Sequence, residues 1–202
     1  MAELAGGFPV YSIPAEVDLR VPSENDRPSR PPPGYIALSV EYFRAGLRLP
    51  LHPFLRRALT WLNVALAQLN ANAYRILVGC FILWVKNFAV ELPFRAFQNL
   101  YRMKSTPSSA GSYYFQGFKG TFVAKCPDSD KQFKHLWFYA GGRWLHGHLA
   151  RNELPRSERV HVVFRNGYVW TRAPYIPETT RDMVTGLQNL AEHERDQRTL
   201  LD

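Results

Sequence analysis

An apolar run extends from Ile76 to Val85, bracketed by Arg75 and Lys86. A transmembrane helix needs about 20 such residues, so the run is expected in a soluble core and no membrane span is expected. Leu77, Phe81, Trp84 and Phe88 recur at helical spacing, and Ile76, Cys80 and Leu83 widen the apolar face. A helix apolar nearly all round is normally a central one. The spacing predicts a core helix over 72–89, capped by Asn70 or Asn72. Its aromatic stripe is read as core packing in preference to a cofactor or base-stacking box.

Two more helices flank it. Leu55, Leu59, Leu62, Leu66 and Leu69 form one stripe over 54–69, with Pro53 suited to the first turn. Pro93 begins a third helix over 93–103, with Phe94, Phe97, Leu100 and Tyr101 on one face and Arg95, Arg102 and Lys104 elsewhere. Short connections predict a compact three-helix core, preceded by a short helix around Ser39–Arg44. The core residues expected are Leu59, Leu62, Leu66, Leu77, Phe81, Trp84, Phe88 and Phe97.

After "STPSSAGS" the period changes. "YYFQGFKGTFVAKC", "KHLWFYAGGRWL" and "RVHVVFRNGYVW" are aromatic and β-branched, which predicts a small antiparallel sheet over 112–171. Asn166 and Gly167 suit a hairpin turn, and the Gly-Gly of "FYAGGRW" reads as a tight turn between strands. A polar helix over 178–202 closes the chain. Residues 1–34 hold prolines 9, 14, 22, 28, 31, 32 and 33 and read as a disordered tail; "RPPP" is read as a linker ahead of a polyproline docking motif. The fold class expected is α+β: a three-helix N-terminal core packed with a small antiparallel sheet, within a 35–175 domain (helical 35–104, β-rich 112–171), and a peripheral C-terminal helix.

The charge of +8 is concentrated. Residues 34–125 carry eleven basic and two acidic side chains, whereas the flanking segments nearly balance. Such an excess attracts a polyanion, RNA, DNA or an acidic lipid surface, or simply keeps a face solvated. Arg95, Arg102, Lys104, Lys119 and Lys125 fall near Tyr101, Tyr113, Tyr114 and Phe115, interleaving cations with stacking rings. Arg95, Arg102, Lys104, Lys119, Lys125 and Tyr113 are therefore the candidate nucleic-acid contacts. No zinc knuckle or RNP-like pattern accompanies them.

Catalytic chemistry is not visible. The chain has no GxSxG, HExxH, CxxC, GxGxxG or P-loop pattern. His146 and His148 alternate in "RWLHGHLA" and are the metal candidates, but two ligands fall short of the three or four a zinc site uses. Cys80 and Cys126 make no disulfide framework. Asp128 and Asp130 read as a solvated turn. No cofactor and no enzymatic activity are expected. The N-terminus lacks the basic and apolar regions of a signal peptide, which leads to the expectation of an intracellular chain, cytoplasmic or nuclear.

The segments "GLRLPLHPF" and "LNANAYRILVG" resemble the plant gypsy-type transposon protein domain, a retrotransposon-derived family. The resemblance continues through "FRAFQNLYRMKSTPSSAGSYYFQ" and "KHLWFYAGGRW", about residues 35–145 in all. It implies a gag-like region with no catalytic residues to carry over. The leading expectation is a non-catalytic, retroelement-derived structural or interaction protein, its partner another copy or another protein. The alternative is sequence-independent RNA or DNA binding through the basic surface.

Overall fold

The computed structural model describes residues 11–28, 30–106, 109–118, 122–127, 136–145 and 174–201. They form an α+β architecture of helices and small antiparallel sheets. The described residues divide between two compact units, one drawn from Met1–Ala67 and Lys131–Val160, the other from Gln68–Asp130 and His161–Asp202. The expected helices near 54–69 and 72–89 thus fall in different units. The hairpin expected at Asn166 and Gly167 lies outside the described residues. Among the described residues no helix is long and apolar enough to cross a membrane.

The first unit is built on a three-stranded antiparallel sheet: β1 (Val17–Arg20), β2 (Tyr35–Ser39) and β5 (Trp137–Gly142), with β5 in the middle. β1 corrects the reading of 1–34 as disordered. Pro14 and Pro22 bracket a proline-free stretch, and Val17 pairs with Gly142 and Arg20 with Tyr139. The loop that follows is also tied down. Asp26 accepts from the Ser23 N–H at 2.7 Å, and the Tyr139 hydroxyl donates to the Arg27 carbonyl at 3.0 Å.

Helix α1 (Val40–Arg44) lies where a short helix was expected, capped by Ser39, whose Oγ accepts from the Glu41 N–H. It buries Tyr42 and Phe43, and Phe43 meets Phe138 of β5 at 5.7 Å between rings. Helix α2 (Pro53–Leu62) carries the leucine stripe inward. It ends seven residues before the expected 69 because Asn63 turns left-handed at φ 53°, a conformation asparagine tolerates better than most residues. Leu66–Gln68 then form one 3-10 turn.

The second unit centres on α3 (Ala71–Phe88), capped by Asn70, whose Oδ1 accepts from the Ala73 N–H at 2.7 Å. Asn72 instead donates to the Pro127 carbonyl and accepts from Arg75. Leu77 and Trp84 are fully buried, as is Phe97. Phe81 and Phe88, expected in the core, are only half-buried, because their side of the helix turns toward solvent along with exposed Val85.

Helix α4 (Phe94–Leu100) runs without a loop into β3 (Tyr101–Thr106), where a helix to 103 was expected. The sequence there also obeys a period of two: Tyr101 and Met103 are buried, and Arg102 and Lys104 alternate with them. Pairing with β4 (Ser109–Gly117) selects the strand. Among the described residues, the strands of the predicted 112–171 sheet, β4 and β5, fall in two different sheets, and their partners include residues assigned by sequence to the tail and to a helix.

The C-terminal segment is likewise not one helix. It comprises α5 (Glu178–Gln188), a 3-10 turn at Glu192–Arg195 and α6 (Gln197–Leu201). The Ala124 N–H donates to the Arg195 carbonyl at 2.8 Å and the Gln197 N–H to the Ala124 carbonyl at 3.1 Å. That bridge interrupts the helix at Asp196, between the 3-10 turn and α6.

The carboxylate of Asp196 sits in this bridge. Arg198 donates to it from Nη2 at 2.7 Å, from Nε and from its backbone N–H, and Lys125 lies 3.4 Å away. The Arg198 side chain foremost, then its backbone N–H, hold the carboxyl well below the usual range. A depressed folded value means the unfolded chain binds the proton first, so this stability is present above the ordinary carboxylate range and is lost as pH falls. Urea midpoints should therefore drop between about pH 5 and 2, and Asp196→Asn should flatten that drop. An unchanged slope in the variant would refute the assignment.

Candidate nucleic-acid interface

The β3–β4 ribbon has two unlike faces. Its inner face carries Tyr101, Met103, Tyr113 and Phe115, all buried, and Phe97 packs on it with ring distances of 5.6 Å to Tyr101 and 4.9 Å to Phe115. Strand alternation sends the intervening residues to the other side. Arg102 pairs in register with Gln116, and Lys104 with Tyr114. The outer face thus presents two cations beside a tyrosine and an amide, all half-buried or exposed.

Arg102 is positioned by Phe118, the residue just past β4, with its guanidinium carbon 4.3 Å from the ring centroid. Its Nε is buried and has no hydrogen-bond partner among the described residues. A guanidinium over an aromatic face is a favourable cation–π pair, and it fixes the charge near the ribbon surface. Arg95 is exposed on α4, the helix that leads into β3. No aspartate or glutamate occurs between Glu91 and Asp128.

Of the candidates from sequence, Arg102 and Lys104 share this face, and Arg95 lies on the adjoining helix. Tyr113 does not belong with them. It occupies the inner face, is buried, and has its hydroxyl pKa raised by that burial. Lys125 is exposed but ion-paired with Asp196 at 3.4 Å and with Glu192 at 3.7 Å. Lys119, His146 and His148 lie outside the described residues. Tyr114, Gln116 and Phe118 complete the face and were not singled out as site residues. The adjacent tyrosines of "YYF" differ only in strand parity, which the buried Met103–Phe115 pair sets.

Among the described residues no group of three or more His, Cys, Asp or Glu is arranged to hold a metal ion. Cys80 is fully buried, and desolvation raises its thiol pKa well above the ordinary value. Burial likewise pushes the Cys126 thiol up to about 11, against the lowering effect of Arg75. A nucleophilic cysteine needs the opposite shift. In the first unit, Arg57 and Trp61 of α2 are exposed one helical turn apart, a smaller patch of the same chemical kind.

Comparison with known proteins agrees with the resemblance seen in the sequence. Over 144 residues, 69% of this chain, it is 28% identical to a protein of Arabidopsis thaliana described as uncharacterised and chloroplastic. The chain spans only 18% of that relative's length. No solved structure matches. Residues 36–105, from β2 to the end of β3, match the family model described as "Putative gypsy type transposon".

Proposed function

We propose that this is a non-catalytic, retroelement-derived structural protein that contacts nucleic acid through the outer face of the β3–β4 ribbon. The observation that carries this reading is the placement of Arg102, Lys104 and Tyr114 on one face of a segment devoid of carboxylates. Cations meet phosphates without reading sequence, so the contact is sequence-independent. The transposon-family match supports a gag-like role, in which a structural protein accompanies the element's nucleic acid.

Fluorescence anisotropy with a labelled RNA strand tests this. With three phosphate contacts, from Arg95, Arg102 and Lys104, affinity should fall roughly twentyfold between about 50 and 200 mM salt. Reversing all three charges to glutamate should abolish binding. Absence of binding at the lower salt would defeat the reading. The second reading, association with another copy or another protein, would then lead. Exposed Val85 and Val90, at the end of α3 and just beyond it, favour that alternative.

A further inference from the structure

We propose that the β3–β4 face takes single-stranded nucleic acid, stacking a base on Tyr114 while Lys104 and Arg102 engage the neighbouring phosphates. The inference rests on the reading of this face as a nucleic-acid contact and adds which form is bound. Directly opposed residues on a ribbon have Cβ atoms about 5 Å apart, so Lys104 stands beside the Tyr114 ring. Arg102 lies two residues along the strand, about 7 Å farther on, with Gln116 across from it. A ring, an amide and two cations at this spacing match the needs of a splayed nucleotide: a surface to stack on, a donor and acceptor for a base edge, and charge for the backbone.

A duplex does not meet these groups. Its bases hide their faces in the stack, so a tyrosine ring has nothing to cover. A two-stranded ribbon can read duplex DNA by entering the major groove, roughly 12 Å wide, but that needs clear edges. Here the Asn70 N–H donates to the Tyr113 carbonyl at 3.0 Å, and Leu69 bridges to Tyr113, so the outer edge of β4 is occupied there. The inner face is filled by Phe97. The ribbon is thus a platform, with one face to offer and no means of insertion. Arg102, held over the Phe118 ring, adds to a surface on which a strand lies.

The test uses the full chain and four labelled probes: an RNA strand of about twelve nucleotides, the DNA strand of the same sequence, and each annealed to its complement. At equal salt one or both single strands should bind at least about tenfold tighter than the corresponding duplex. Tyr114→Ala should weaken single-strand binding by about tenfold to a hundredfold, the range for removal of one stacked base. Tyr114→Phe, which keeps the ring, should stay within about twofold of the wild type. Tyr114→Leu, which keeps bulk without the ring, should behave like Tyr114→Ala and serves if that variant does not fold. Duplexes binding as well as single strands would overturn the proposal, as would Tyr114→Leu retaining full affinity. In either case charge reversal at Arg95, Arg102 and Lys104 would still abolish binding, leaving the broader reading in place. Failure of the wild type to bind any of the four probes at low salt would overturn both.

Discussion

Tyr101→Phe should destabilise the second unit by about 2–4 kcal/mol although it removes a single atom. The Tyr101 hydroxyl is buried at the start of β3, where it accepts the backbone N–H groups of Phe122 at 2.9 Å and Val123 at 2.8 Å. Phenylalanine keeps the ring and its stack on Phe97 but leaves two buried donors without an acceptor. Each orphaned buried donor costs about 1–3 kcal/mol, and partial relaxation of the 122–127 segment brings the pair below the simple sum. Burial also raises the phenol's pKa well above its ordinary value, so the hydroxyl stays protonated throughout the neutral range. Equilibrium urea unfolding measures the effect as a lowered midpoint at unchanged slope. A loss below about 0.5 kcal/mol would mean that this hydroxyl is not the acceptor that holds residues 122 and 123.

The same residue shows where sequence reasoning stops. Tyr101 fits the apolar face of a helix begun at Pro93 and equally fits a strand alternating with Arg102. Only the distant partner β4 decides between them. Helices α2 and α3 were legible because each signals itself locally, through leucine spacing, a proline at the first turn and a capping asparagine. Strand β1 carries no such mark. Its partner β5 lies far along the chain, Val17 pairing with Gly142, and its neighbourhood has the composition of a disordered tail, so pairing that stabilises it leaves no local trace. Charge was half legible. The basic excess over 34–125 is visible in the sequence, but the ion pairing of Lys125 with Glu192 and Asp196 depends on the fold. The exchange of Tyr113 for Tyr114 turned on strand parity alone.

Gly142→Ala should cost about 2–5 kcal/mol, and it tests whether β1 belongs to the folded first unit. The pair Gly141–Gly142, read from sequence as a turn, lies at the end of β5 opposite Asp18 and Val17. Gly142 has φ +108°, outside the region open to residues with a side chain, and a Cβ there would overlap the Glu16 carbonyl oxygen. The backbone strain accounts for about 1–3 kcal/mol. The overlap adds a similar amount, because the obstacle is main chain and cannot rotate away. Gly186→Ala is the control: its Cβ would meet nothing within 4 Å in α5, and alanine is the better helix former by about 1 kcal/mol. If the chain relieves the overlap by releasing β1, the loss is capped at the strand's docking energy and the backbone at Arg20, exposed in its side chain but paired with Tyr139, is freed from the sheet. Limited trypsin digestion would then cut after Arg20 faster in the variant than in the wild type. A variant as stable as the wild type and cut no faster there would show that β1 does not pair with β5.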